Sequence, residues 1–161
     1  MAIGNDGKKK DQSLDGYKSQ KLPTTGVEVK IREALLDSMN YYKFDAHDIN
    51  KVAKFTFHIE ENGFLNLEGR NKKSNNPPTE DLQFVQKAQF AIEDKLFHYH
   101  IGIPFYQVSP SGDLTSDYVL QYSYDQQKGY VDIINVEYHP LVLPSKEDLE
   151  SEHIENPFKE N

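Results

Sequence analysis

The chain contains no cysteine and no tryptophan, and only two methionines in 161 residues. Without cysteine there can be no disulfide, no thiolate metal site and no cysteine nucleophile. No apolar run approaches the roughly 18–20 residues of a membrane span. The opening MAIGNDGKKK lacks the apolar segment of a secretory signal, so a cytoplasmic, bacterial-type protein with no membrane contact is the expectation. Hydrophobic residues reach 37%, a low share that predicts segments outside any core. The net charge of −8 argues against wholesale electrostatic binding of nucleic acid. Aromatic residues, by contrast, are plentiful: ten Tyr and nine Phe supply a core for one domain.

Residues 1–26 are polar, rich in Lys, Asp and Gln, and lack hydrophobic period, so they read as a flexible arm. Their LPTTG is a chance match to a sorting pattern, because no membrane-spanning tail follows. The body is 27–144, and an acidic tail occupies 145–161. The spacing Val27, Ile31, Leu35, Met39 predicts a helix over 27–41. A second helix is expected over 45–60 with Asp45 as N-cap, although FTFHI also suits a strand. Gly- and Asn-rich 61–78 reads as a long loop holding Arg70, Lys72 and Lys73. A third helix is predicted over 79–94. After it the period changes to two, giving strands at 96–104, 117–124 and 130–138. Helices followed by a meander define an α+β fold: N-terminal helices on one face of a small antiparallel β-sheet.

KLFHYHIGIPFY (95–106) places His98 and His100 on one strand face and Phe97, Tyr99, Ile101 and Ile103 on the other. If the final hairpin pairs Tyr124 with Tyr130, the polar face gathers His98, His100, Gln121, Asn135, Glu137 and His139. Two readings of the histidine pair stand. They are incidental polar residues on a half-wet strand, or they exchange protons with a ribose 2′-OH and a leaving 5′-oxygen. In the second reading Arg70, Lys72 and Lys73 meet the phosphate, and Tyr99, Tyr106 or Tyr122 stacks on a base. A zinc reading would add His58, His139 or Glu137 to the pair, but no recognised ligand spacing supports it, so no metal or cofactor is expected.

The segments FHIEENGFLNLEGRNKKSN, KLFHYHIGIPFY, TSDYVLQYSYD and VDIINVEYHPLVLPS, in this order, resemble the YafO-like branch of the RelE/ParE toxin superfamily. The resemblance covers about residues 43–148 and rests on the order and character of the segments. It implies a RelE-like fold, a toxin of a type II toxin–antitoxin system, mRNA endoribonuclease activity at the ribosome, and an antitoxin as protein partner. It also implies catalytic roles for His98 and His100, with Arg70, Lys72, Lys73, Tyr99, Tyr122 and His139 contacting the substrate. A different class remains open: an acidic, non-catalytic module that docks on a basic bacterial or phage protein through its tail and aromatic surface.

Overall fold

The computed structural model describes residues 21–74, 95–139 and 143–159. The helix expected over 79–94, most of the arm and the end of the tail lie outside the described residues. The first helix prediction is corrected. Residues Glu28–Arg32 form strand β1, and helix α1 begins only at Glu33 and runs to Tyr41. Val27, Val29 and Ile31 are β-branched and alternate with charged residues. They fit an extended pleat, whereas Leu35 and Met39 continue as helix. The four-residue spacing was common to both solutions.

Helix α2 spans Ala46–Asn62. Asp45 accepts from the Asp48 amide at 2.9 Å, and the Asp48 carboxylate accepts from the Asp45 amide, a reciprocal cap. The helix ends at Gly63, whose φ of +63° suits glycine. A Cβ there would lie 2.3 Å from the Pro23 carbonyl oxygen, and Phe64 N donates to that oxygen at 2.7 Å. Residues 21–26 are therefore tied to the domain, and Leu22 packs on the core.

The 61–78 stretch is not all loop, because Asn71–Lys73 forms β2. The remaining strands are β3 (Leu96–His100), β4 (Gln107–Val108), β5 (Leu114–Thr115), β6 (Tyr118–Asp125), β7 (Tyr130–Tyr138) and β8 (His153–Ile154). The main sheet has the order β2-β3-β6-β7-β1-β8, with β4 and β5 forming a separate ribbon. It is mixed, not purely antiparallel as expected, because β1 runs parallel to β7. A parallel neighbour requires a crossover, and the α1–α2 pair belongs to the long connection between β1 and the rest of the sheet.

The hairpin register also departs from the expected one. Tyr124 faces Val131, and an irregularity at Gln121/Tyr122 inserts one residue into β7. Ile133 thereby joins Tyr122 in the core, and Asp132 moves to the Ser123 side. Gln121 opposite Asn135 and Val119 opposite Glu137 keep their predicted face. The core lies between the sheet and α1–α2: Leu35, Met39, Val52, Phe55 and Ile59 meet Phe97, Tyr99, Leu120, Tyr122 and Ile133. Tyr122 is fully buried and stacks on Phe97 and Phe64, with ring centroids 5.2 and 5.3 Å apart.

The acidic tail is part of the domain. Helix α3 (Lys146–Glu150) is capped by Ser145, which accepts from the Asp148 amide at 3.1 Å. Leu143 and Leu149 pack on Leu96 and Ile134, on the sheet face away from α2. β8 then pairs with β1, and Phe158 reaches the main core. Five acids against two lysines make residues 143–159 acidic, yet this segment is docked rather than free.

Candidate histidine site on the sheet face opposite α2

Alternation along β3 sends Phe97 and Tyr99 toward α2 and His98 and His100 to the opposite face. β2 adds Lys72 directly across from His98. At the end of β7, His139 N donates to the Asp117 carbonyl at 2.6 Å, which fixes its backbone beside the start of β6. The three imidazoles form a row, His98–His100 centroids 5.9 Å apart and His100–His139 5.3 Å. Arg70, immediately before β2, acts electrostatically on all three. The expected meeting of the histidine pair with the cationic segment therefore occurs.

The row runs from buried to wet. His98 is only 8% exposed and His100 only 3%, whereas His139 is exposed. Each of the first two has a local partner. Nδ1 of His98 lies 3.0 Å from the Ser74 hydroxyl, and Nδ1 of His100 lies 3.0 Å from the Ser116 amide and 2.9 Å from its carbonyl oxygen. Burial pushes His98 down to about 3, and positive charge on His100, His139, Lys72 and Arg70 adds to the fall. His100 is lowered by burial, with the Ser116 contact partly opposing. His139 is lowered by partial desolvation and by Arg70, with Asp117 opposing. All three shifts favour the neutral imidazole.

This burial has a consequence for acid stability. A histidine whose folded pKa lies below its unfolded value of about 6.5 favours unfolding wherever only the unfolded form binds the proton. The stability that a neutral His98 leaves intact above pH 6.5 is lost as pH falls toward about 3. We expect the urea midpoint to fall between pH 7.5 and 4.5, a loss on the order of a few kcal/mol. His98→Gln should flatten that fall. Identical pH profiles for the two proteins would rule out His98 as the source.

Arg70 is not a loose cation. Its Nε bonds Asp113, its Nη2 donates to Asp113 Oδ1 at 2.7 Å, and the same nitrogen meets the Ser109 and Ser111 hydroxyls at 3.1 and 3.2 Å. The guanidinium and two serines hold the Asp113 carboxyl well below its ordinary range. The SPSGD turn thus orients Arg70 at the edge of the histidine row. Lys72 is exposed on the histidine face. Lys73 pairs with Phe97 and projects to the other side.

Two aromatic assignments are corrected. Tyr99 is buried on the α2 face and stacks on Phe55 with centroids 4.8 Å apart. Tyr122 lies in the core, with its hydroxyl donating to Asn71 Oδ1 at 2.7 Å. Neither can stack on a base beside the histidines. The zinc set is not assembled either: His58 on α2 bonds the Leu65 carbonyl at 2.6 Å, and Glu137 accepts from the Tyr42 hydroxyl at 2.7 Å. Among the described residues, three potential ligand atoms converge only at Asp45, His47 and Asp48, where both aspartates already serve the α2 cap. Residues missed in the sequence are Ser74, Ser116, Asp113 and Asp117, which position the histidines and Arg70. Ser109–Asp113 has the Ser, Pro, Gly and Asp of a turn, but nothing local marks its pairing with a residue 43 positions earlier.

No protein-family model, curated protein or solved structure matches the chain. No helix among the described residues is long and apolar enough to cross a membrane.

Proposed function

We propose that the chain is an RNA-cleaving toxin of the RelE/ParE type, acting on mRNA and restrained by an antitoxin. The observation that carries this reading is the His100–His139 pair, 5.3 Å apart by ring centroid, on the sheet face opposite α2 with Arg70 at its edge. Neutral His100 takes the proton of a ribose 2′-OH as that oxygen attacks the phosphorus. The new O2′–P bond forms as the P–O5′ bond breaks, the 5′-oxygen takes a proton from the imidazolium form of His139, and His100 then returns the 2′-OH proton to solvent; the lowered pKa of His139 confines its imidazolium form to acidic pH. Lys72 meets the phosphate, while Arg70, already held by Asp113, contributes its field to the developing charge. His98, buried and lowered to about 3, supports His100 and transfers no proton. RNA would approach this face at its exposed margin, where His139 and Lys72 reach solvent.

The test is inducible expression with mapping of mRNA ends. Wild-type protein should arrest growth and cut RNA. His100→Ala and His139→Ala should each lower cleavage by about 10²–10⁴-fold. Cleavage that persists in the double variant, or no cleavage by the wild type, overturns the reading. The non-catalytic alternative used both the acidic tail and an aromatic surface; the docking of Leu143, Leu149 and Phe158 occupies the tail with its own domain and leaves that reading the aromatic surface alone.

A further inference from the structure

Across the sheet from the histidines, a cleft of about 320 Å³ opens between α2 and the chain around Asn66–Glu68 and Ile101–Tyr106. Its walls carry Lys51, Lys54 and His58 from one side of α2, with Glu68 opposite and Tyr99 and Tyr106 at the base. The spacing i, i+3, i+7 puts the three α2 residues on one helical face. In a chain of net charge −8, two ammonium groups around one recess form a local positive site.

The groups in the cleft are held ready. Gly69 N donates to the Tyr99 hydroxyl at 3.1 Å, the two tyrosine hydroxyls lie 3.0 Å apart, and Tyr106 donates to the His100 carbonyl at 3.0 Å. Tyr106 is backed by two glycines. A Cβ on Gly102 would lie 2.7–2.9 Å from its ring, and one on Gly69 would lie 2.8 Å from its hydroxyl and closer still to the His100 carbonyl. The ring is therefore held closely against backbone on the glycine side, and the residue is half-buried. Lys51 bonds the Gly102 carbonyl and lies 3.3 Å from that of Pro104, which ties the loop to α2. Lys54 is exposed and makes no hydrogen bond or ion pair among the described residues.

We propose that this cleft binds a nucleoside monophosphate. The phosphate sits at Lys54 and the remaining proton of Lys51, the base packs on the fixed face of Tyr106, and Glu68 accepts from the ribose hydroxyls. The volume is at the small end of ligand pockets and suits one nucleotide rather than an oligomer. Ammonium groups supply point charges for phosphate, an aromatic face accepts any base, and a carboxylate is a natural acceptor for ribose hydroxyls. The proposal does not depend on RNA cleavage, since its residues face away from the histidine row.

The test is calorimetric titration of the full chain with uridine and adenosine 5′-monophosphates, with uridine and inorganic phosphate as controls. Saturable binding of both nucleotides, stronger than either control, is expected. Lys54→Glu should weaken it by at least about tenfold, a 1.4 kcal/mol change in binding. Glu68→Gln should weaken it less, while leaving inorganic phosphate unaffected. His139→Ala should not change it. Phosphate binding as tightly as the nucleotides would reduce the cleft to an anion site and overturn the proposal. So would the absence of binding, or binding lost in His139→Ala but kept in Lys54→Glu, which would move the nucleotide to the other face. Unchanged thermal unfolding of the Lys54 and Glu68 variants separates lost binding from lost folding.

Discussion

Tyr122→Ala should destabilise the protein by about 4 kcal/mol, as expected for removing a large aromatic side chain from a core. The ring is fully buried, is nearly parallel to Phe97 with an interplanar angle of 6°, and has Phe64 on the same cluster. Its removal strips both neighbours of packing partners and leaves a cavity that the central strand β6 cannot close without breaking its pairing with β3 and β7. Tyr122→Phe is the informative companion. It keeps the ring and loses the 2.7 Å bond to Asn71, so a cost of about 1 kcal/mol is expected. Urea denaturation of the two variants checks both values. A Tyr122→Ala protein within 1 kcal/mol of the wild type would show that the side chain is not central to this core, and would reopen its use at a surface.

Asp132→Ala should cost about 2–3 kcal/mol, somewhat less than the roughly 3–5 kcal/mol for breaking a fully buried pair. Asp132 Oδ1 accepts from Arg32 Nε at 3.1 Å and Oδ2 from Nη2 at 2.8 Å, and the His153 imidazole also lies 3.1 Å from Oδ1. Arg32 also donates to the Ser151 carbonyl at 2.6 Å. One carboxylate thus joins β1, β7 and the returning C-terminal segment. Without it the guanidinium, 19% exposed, keeps its charge in a partly desolvated place with only a carbonyl as partner. The effect should be local before it is global. Hydrogen exchange at His153 and Ile154 should rise more than exchange at Val131 or Ile133, because β8 is a short edge strand. Equal acceleration throughout would mean that the segment unfolds only with the whole domain.

These two residues show different limits of reading the chain. The identity of Tyr122 as a core residue was masked by its polar tip, which finds its partner in Asn71 on a strand 51 positions earlier. Asp132 lies on the Ser123 side, not opposite Tyr122 as the expected hairpin register would have it, because one extra residue in β7 reverses alternation beyond it, and a bulge leaves no simple mark in composition. His98 and His100 were correctly placed together on the face away from α2. Their burial came instead from residues distant in sequence, which leave them 8% and 3% exposed.

The sequence by itself determined the α+β class, the capped second helix, the presence of strands β3, β6 and β7 (although β3 stops at His100 rather than at residue 104) and the common face of His98 and His100. These follow from local period and local capping, which are properties of neighbours along the chain. The tertiary structure alone decided the parallel β1, the docking of the acidic segment, the pairing of Arg70 with Asp113 and the neutral, sheltered state of the inner imidazoles. Each of these depends on contacts between distant residues, whose energies come from desolvation and geometry that no short window of sequence contains.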